Sequence, residues 1–368
     1  MQLLSDHVPK ADFDPTVTDR TSPVFRAGEV LAGRYRLERL VGEGGMGIVW
    51  EARHVTTEKP VAIKVLKGAE PEAAARFLRE AQLAGSLTHR HIVQVFDFWD
   101  LPEHGFVFMV MELLRGEPLS ARLARGPLSL DETEAFMVPV VAAVRSAHAQ
   151  GVIHRDLKPE NIFLARDTDD AIEVKVLDFG LAKVLVHDTE ATALTQTGSV
   201  MGTPYYMAPE RVYGEKDVDV SADVWALGVI LHECLAGKRP FDGGNYGQIF
   251  RAITMGTIPS LRDLVPHVPP AIDALVKRML SRDRAGRPTD LGEVLATLRC
   301  ALAHDQLVRA ATTPISIPPP QPTLLLAPRV WTPPHVEAPL GTVLNAATSV
   351  RAAPLAPWPR ARLALLAV

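Results

Sequence analysis

Apolar and polar positions alternate in several short stretches near the start of the chain, a pattern typical of half-buried strands. Five alternating or continuously apolar runs occur, at residues 35–41, 48–52, 61–66, 92–98 and 106–112. Between the third and fourth runs, residues 71–87 carry apolar side chains at helical spacing. The pattern predicts a small antiparallel sheet with one main helix, ending near Leu114.

Beyond Gly116 the spacing of apolar residues becomes helical. Helices are predicted at residues 131–150, 222–236, 269–281 and 289–304. The second of these is apolar nearly all round, which indicates a buried helix, and Pro288 suits the start of the last one. A sheet unit followed by a larger, mostly helical unit belongs to the α+β fold class.

The composition changes at both ends of the chain. Residues 1–33 are polar, contain prolines and show no period, so we expect a flexible leader. Twelve of the 30 prolines fall in the last 63 residues, which contain no lysine and one acidic residue. Such a segment buries too little apolar surface to offset the entropy of ordering it, so residues 306–368 are expected to be disordered or polyproline-like. Two folded units remain, at residues 34–114 and 115–305.

Charge and cysteine usage argue against several classes of protein. The formal net charge is −4, without the basic balance typical of nucleic-acid binding. Cys234 and Cys300 lack CxxC spacing, so neither a disulfide framework nor a zinc site is expected, and a reducing compartment fits best. The sequence contains no run of about 18 apolar residues. We therefore expect no transmembrane segment and a cytoplasmic location.

A glycine cluster separates the first two predicted strands. Gly42, Gly44, Gly45 and Gly47 lie in the run GEGGMG, where the lack of side chains lets backbone amides approach phosphate oxygens. A dinucleotide-binding fold needs a helix directly after such glycines, whereas residues 48–50 indicate a strand. The arrangement predicts a phosphate-binding loop between two strands, with a plain glycine-rich hairpin as the alternative.

Two charged residues follow this loop. Lys64 lies in an apolar strand run, where its ammonium can hold the α- and β-phosphates of a nucleotide. Glu80, on the predicted helix, is its candidate partner. Taken alone, each is more simply interpreted as a solvated surface charge, so both assignments depend on motifs further along the chain.

Three later motifs occur in a fixed order: HRDLKPEN at residues 154–161, DFG at 178–180 and APE at 208–210. In this pattern Asp156 accepts the proton of a substrate hydroxyl. Lys158 lies two residues further on, where its charge can meet the transferring phosphoryl group. Asn161 and Asp178 are candidate ligands of Mg²⁺. Together the motifs predict phosphoryl transfer.

With these motifs, residues 35–302 resemble the eukaryotic-type protein kinase family. GEGGMG, HRDLKPEN and the stretch 194–203 are most similar to its bacterial Ser/Thr branch. The resemblance implies a two-lobed fold that binds ATP and Mg²⁺ between the lobes and acts on protein substrates. Besides the glycines and Lys64, the nucleotide-binding set that it implies is Val41, Val49 and Ala62, the hinge residues Glu112 and Leu114 with Met111 behind them, and Phe163 below the adenine.

The resemblance also implies supporting roles for residues outside the nucleotide site. Asp223 matches an aspartate that steadies the catalytic loop, and Glu210 and Arg287 match a buried ion pair of the larger lobe. Arg90 departs from the family, which usually has proline at this position. We expect the change to affect local rigidity but not phosphoryl transfer.

Substrate specificity and activation follow from the same resemblance. Lys158 and Thr203 match residues of serine/threonine-specific rather than tyrosine-specific members. Arg155 matches an arginine that pairs with a phosphorylated residue of the activation segment. Thr195 and Thr197 stand where bacterial relatives carry those phosphates, so we expect activation by autophosphorylation. The alternative is that threonines are simply common in such a loop.

Partner interactions at this stage are hypotheses. Autophosphorylation in trans requires a transient pair of copies of this chain. The proline-rich tail suits a polyproline-reading partner, although an inert linker is the simpler interpretation. A pseudokinase is disfavoured because Lys64, Asp156, Asn161 and Asp178 are all present. A scaffold that acts through its tail is a further alternative, which deletion of the tail would test.

Overall fold

The computed structural model describes residues 25–44, 47–66, 85–101, 106–166, 169–179, 204–215 and 217–312. Two lobes are present, one built on an antiparallel sheet and one mostly helical, which confirms the predicted α+β class. Most of the helix predicted at residues 71–87 and the tail from residue 313 lie outside the described residues.

Six strands form the sheet of the smaller lobe: β1 (Val30–Leu31), β2 (Tyr35–Gly44), β3 (Gly47–His54), β4 (Pro60–Leu66), β5 (Val95–Leu101) and β6 (Phe106–Glu112). Their spatial order is β1-β2-β3-β4-β6-β5, and all neighbours are antiparallel. Strand β1 pairs with β2, and Phe25 packs against the core of this lobe. The ordered lobe therefore starts before residue 34, and residues 25–33 are not part of a flexible leader.

The two faces of this sheet contact different parts of the molecule. Val49 lies opposite Lys64, and Ala62 lies opposite Met111; residues in such cross-strand pairs share a face. This first face turns toward the other lobe. The opposite face carries the buried core of the lobe, including Ile48, Trp50, Ile63, Val65, Phe108 and Val110. The alternation in the sequence thus separates cleft residues from core residues.

The fifth strand begins later than predicted. Periodicity placed it at residues 92–98, but β5 starts at Val95. Ile92 forms a parallel bridge with Val176, and the Val93 N–H donates to the Val176 carbonyl at 2.9 Å. The apolar run is therefore divided between the lobes, because its first residues pair with a strand of the larger lobe.

The described part of the larger lobe combines a small sheet with eight α-helices and three short 3-10 helices. The strands are β7 (Gly116–Pro118), β8 (Ile162–Arg166) and β9 (Ile172–Val176), all antiparallel. The helices are α1 (Leu119–Leu123), α2 (Leu130–His148), α3 (Pro209–Val212), α4 (Ser221–Ala236), α5 (Tyr246–Met255), α6 (Leu261–Leu264), α7 (Pro270–Met279) and α8 (Leu291–Thr312). The four long helices predicted from periodicity correspond to α2, α4, α7 and α8.

Local sequence explains where the main helices start and stop. Ser129 and Glu132 form a reciprocal capping box at the start of α2, with hydrogen bonds of 3.0 and 3.1 Å. Helix α4 is buried along nearly its whole length, as predicted, and ends at Gly237 in a left-handed conformation. It packs against α2 and α7. None of the helices in the described residues is long and apolar enough to cross a bilayer.

Candidate active site

A mostly apolar cavity lies beside the hinge, where the two lobes meet. It is lined by Val41, Val49, Ala62, Lys64, Val93, Met111, Glu112, Leu113, Leu114, Leu177 and Asp178. The predicted positions Val41, Val49, Ala62, Glu112 and Leu114 are thus brought together around one space. Its apolar lining, with Lys64 and Asp178 at one end, suits a nucleoside carrying phosphates.

Sequence reasoning missed part of this lining. Val93 and Leu177 line the cavity, although Val93 was predicted only as part of an apolar run and Leu177 was given no role. Phe163, expected below the adenine, has a fully buried ring that packs with Val93, Ala165 and Leu177. Its contact with the adenine stays a prediction from the sequence.

The glycine cluster forms a hairpin at the edge of this cavity. Gly42 pairs with Val49, and Gly44 pairs with Gly47. Gly47 has a φ of 151°, in a region that favours glycine. Gly45, also expected at the phosphates, lies outside the described residues. A strand on each side of the glycines excludes the dinucleotide-binding arrangement, which requires a helix after them.

Lys64 and Asp178 form an ion pair at the polar end of the cavity. The Lys64 Nζ donates to Asp178 Oδ2 at 2.7 Å, and the two side chains are only 6% and 14% exposed. Burial of a charge is tolerated when an opposite charge compensates it. Glu80, predicted as the partner of Lys64, lies outside the described residues. The pair places one cation and one carboxylate where phosphates and a metal ion would be held.

Asp156, Lys158 and Asn161 form a compact cluster in the loop before β8. Lys158 Nζ donates to Asp156 Oδ2 at 2.9 Å. Asn161 Nδ2 donates to the Asp156 carbonyl at 2.7 Å and to Asp156 Oδ2 at 3.3 Å. The carboxylate of Asp156 is 30% exposed, so it remains accessible to a substrate while its neighbours fix its orientation.

The pairing of β8 with β9 joins this cluster to Asp178. Ile162 lies opposite Val176, and the Leu177 N–H donates to the Asn161 carbonyl at 2.9 Å. Asn161 Oδ1 is buried and has no hydrogen-bond partner within the described chain. An unpaired amide oxygen and a nearby segment bearing a carboxylate fit Mg²⁺, which uses few protein oxygens and completes its shell with phosphates and water. Asn161 and Asp178 are therefore suitable metal ligands.

Asp223 fixes the backbone of the same loop through hydrogen bonds to its carboxylate. Its carboxylate accepts the His154 N–H at 2.8 Å, the Arg155 N–H at 2.9 Å and His148 Nε2 at 2.7 Å. Arg155 has a φ of 68°, which is costly for a residue with a side chain. Burial alone raises the pKa of Asp223, but the bonds from His148 and the His154 amide hold that pKa below its ordinary value. A charged Asp223 thus stabilises the strained loop.

The structure gives no position for the three threonines with predicted functions. Thr195, Thr197 and Thr203 lie outside the described residues. Their roles remain predictions from the sequence.

Comparison with known proteins identifies the family. The profile described as protein kinase domain matches residues 35–304, most of the chain. The chain belongs to the protein kinase family.

Curated relatives place this kinase among bacterial serine/threonine kinases. It is 36% identical over 314 residues to the serine/threonine-protein kinase PknH of Mycobacterium tuberculosis, covering 81% of this chain and 48% of the relative. It is 38% identical to pkn3 of Myxococcus xanthus, covering 74% and 50%. It is 39% identical to PknA of Mycobacterium tuberculosis, covering 80% and 66%. The chain thus spans about half the length of the first two relatives.

Solved structures agree with this assignment. The kinase matches the Mycobacterium tuberculosis PknI kinase domain with a TM-score of 0.60 at 26% identity, covering 76% of this chain and all of that one. A C20A_R136A double mutant of the same domain gives a TM-score of 0.61 at 26% identity. These matches confirm the two-lobed kinase fold.

Two further contacts in the kinase connect the site to its framework. His154 Nε2 donates to the Leu177 carbonyl at 2.8 Å, and its ring lies 4.7 Å from the Phe179 ring, centroid to centroid. Arg287 forms a two-pronged ion pair with Glu210, at 2.7 and 2.8 Å, and both side chains are buried. The predicted pairing of Glu210 with Arg287 is confirmed.

Proposed function

We propose that this chain is a protein kinase that transfers the γ-phosphoryl group of ATP to serine or threonine hydroxyls of proteins. The observation that carries the proposal is that two groups of charged and polar residues are joined. The Lys64–Asp178 pair lies at the polar end of the cavity. The bond from the Leu177 N–H to the Asn161 carbonyl connects it to the cluster of Asp156, Lys158 and Asn161. The names of the relatives support hydroxyl specificity. Because ATP and protein acceptors are the substrates, we also propose a cytoplasmic location.

Each residue has a distinct task in the proposed transfer. The acceptor hydroxyl oxygen attacks the γ-phosphorus, its proton passes to Asp156, and the bond from the γ-phosphorus to the bridging oxygen breaks to release ADP. Lys64 binds the α- and β-phosphates, and Lys158 meets the charge on the transferring group. Asn161 and Asp178 hold Mg²⁺, which neutralises charge on the β- and γ-phosphates when bound. The glycine hairpin covers the phosphates with backbone amides.

Activation by trans-autophosphorylation at Thr195 and Thr197 is the finer part of the proposal. Arg155 directly precedes Asp156, and a phosphate on the activation segment would form charge-assisted bonds to its guanidinium. Such bonds would order the segment that presents Thr203 to the catalytic loop. A second copy of this chain is then both enzyme and substrate.

The decisive experiment compares wild type with an Asp156→Asn variant in labelled ATP and Mg²⁺, followed by phosphosite mapping. We expect label on Thr195 or Thr197 in the wild type alone, and a loss of at least about 10³-fold in the variant, since the base and its charge are both removed. Asp170→Asn is a matched control, because Asp170 is exposed, lies in the loop before β9 and pairs with Arg166 at the end of β8.

Mixing the two proteins tests the route of activation. Label on the Asp156→Asn chain in the presence of wild type would support transfer in trans. Label confined to the wild-type chain would contradict it. Nucleotide binding without any label in either protein, or phosphotyrosine as the main product, would contradict the proposed activity itself.

A further inference from the structure

Glu112 links both lobes through its side chain, beyond its place in the hinge. It is the last residue of β6, in the smaller lobe. Its Oε1 accepts the Gln94 N–H at 2.8 Å and lies 3.1 Å from Nζ of Lys175. Lys175 belongs to β9, in the larger lobe. One carboxylate is therefore held from two sides across the point where the lobes join.

The charges continue outward from this pair. Lys175 Nζ lies 3.6 Å from Glu173 Oε2, and Glu173 Oε1 lies 3.7 Å from Arg90 Nε. Lys175 and Glu112 are 12% and 23% exposed, whereas Arg90 is 75% exposed. Exposed pairs contribute little and partly buried pairs contribute more. The inner pair therefore dominates, and Arg90, which stands where the family usually has proline, adds a weak outer contact.

Hydrogen bonds beside these charged residues join residues 91–93 to strand β9, so these two segments should move together. The Val176 N–H donates to the His91 carbonyl at 2.8 Å, and His91 Nδ1 contacts the Val174 carbonyl at 3.0 Å. Together with the Val93–Val176 bond, these contacts fix the loop before β5 to strand β9. The Glu112 N–H also donates to the Gln94 carbonyl at 2.9 Å. Movement of the end of β6 relative to β9 must therefore stretch the contact between the Glu112 carboxylate and Lys175, or the two bonds between Glu112 and Gln94.

We propose that the Glu112–Lys175 pair, extended by Glu173 and Arg90, is a hinge latch that restrains lobe movement and slows nucleotide exchange. Glu112 and Leu114 line the nucleotide cavity, so movement at this point changes its opening. Lys175 does not line the cavity and acts as a positioning residue. The effect on nucleotide exchange depends on the function proposed above, whereas the mechanical restraint does not.

The first test measures the hinge without nucleotide. In Lys175→Met, hydrogen exchange of peptides covering residues 112–116 should be about three- to tenfold faster than in wild type, and Lys175→Arg should restore protection. Arg36→Met is the matched control, since Arg36 pairs with Glu58 at 3.1 Å on an exposed surface of the smaller lobe. Unchanged hinge exchange in Lys175→Met, or an equal change in Arg36→Met, would overturn the proposal.

The second test measures release of a fluorescent ADP analogue by stopped flow. Lys175→Met should raise the rate constants for release and for binding by similar factors, about three- to tenfold, with little change in Kd. Arg90→Met should have a clearly smaller effect. A lowered thermal midpoint with unchanged release and unchanged hinge exchange would show a purely structural role and overturn the latch. If the wild type bound no nucleotide at all, the kinase function would fail, and hinge exchange alone would still decide the latch.

Discussion

Most buried polar side chains in the described chain have partners, and the few exceptions are informative at the scale of single residues. Asp223 and Arg287 use their polar atoms fully in fixing the backbone or an ion pair. Asn161 Oδ1 and His232 Nε2 are buried without a described partner. Buried polar atoms without a hydrogen-bond partner are costly and require an explanation. For Asn161 the proposed metal ion would supply one. His232 lies in α4 and does not line the cavity, and its burial has a different consequence.

His232 predicts an acid-sensitive stability. Its Nδ1 lies 3.0 Å from the Lys238 carbonyl, which can only accept, so Nδ1 carries a proton. Nε2 is buried without a described partner, which favours the neutral ring over the charged one. Burial lowers the pKa of His232 below 6.5, against smaller opposing effects of the hydrogen bond to the Lys238 carbonyl and of Asp273. Below about pH 6.5, His232 therefore binds a proton in the unfolded chain but not in the folded one. The free energy of unfolding falls as the pH decreases, by at most about 1.4 kcal/mol per pH unit.

A His232→Asn variant tests this prediction. Asparagine keeps a donor toward the Lys238 carbonyl but does not titrate. Denaturant unfolding between pH 7.5 and 5.5 should show a flatter pH dependence in the variant, although its stability at pH 7.5 is lower because of the cavity that it leaves. His89 and His91, whose pKa values are also lowered, are common to both proteins and cancel in the comparison. Parallel pH profiles would contradict the assignment.

At the scale of elements, close packing between α4 and α7 depends on a glycine. A Cβ on Gly228 would lie 2.8 Å from Met279 Cβ and 3.1 Å from Leu280 Cδ2. Alanine in a helix gains about 1 kcal/mol over glycine, but overpacking a tight contact costs about 1–3 kcal/mol. Because Met279 Cβ cannot move without its helix, we expect Gly228→Ala to destabilise the protein by about 1 kcal/mol. Gly247→Ala in α5 should instead stabilise it, because the added Cβ would lie 3.4 Å from Asn245 Oδ1, an ordinary contact. Urea unfolding of both variants checks the difference, and stabilisation by both would contradict the packing interpretation.

Elements that are determined by their own apolar and polar pattern could be predicted from the sequence. Elements that are determined by pairing with residues distant in the chain could not. The burial of α4 follows from a sequence that is apolar nearly all round, and the glycine hairpin follows from strands on both sides. The short strand β1 and the late start of β5 depend on pairing with β2 and with Val176, which periodicity does not report. Likewise, motif spacing predicted that Asp156 and Asn161 lie close together. It could not predict that Leu177 and Val93 pack on the Phe163 ring, because that contact forms only when the segments fold together.

At the scale of the whole molecule, each lobe has its own hydrophobic core. The core of the smaller lobe lies on one face of its sheet, while that of the larger lobe joins its helices and buries many more side chains. Between them lie the small cluster of Val93, Phe163, Ala165 and Leu177 and the Lys64–Asp178 pair. Limited contact between two cores favours unfolding in separate steps.

We therefore expect two transitions when the nucleotide-free protein is heated, the first from the smaller lobe. The cavity is lined by residues of both lobes, so ADP with Mg²⁺ bound there would contact both, and its binding energy would be lost when either lobe unfolds. At 100 times its Kd it should stabilise the folded state by about 2.7 kcal/mol and bring the two transitions together. Calorimetry with and without ADP and Mg²⁺ measures this directly, with Lys64→Met as the variant in which the merging should weaken. A single nucleotide-free transition with equal calorimetric and van't Hoff enthalpies would mean that the contacts between the lobes already make them one cooperative unit.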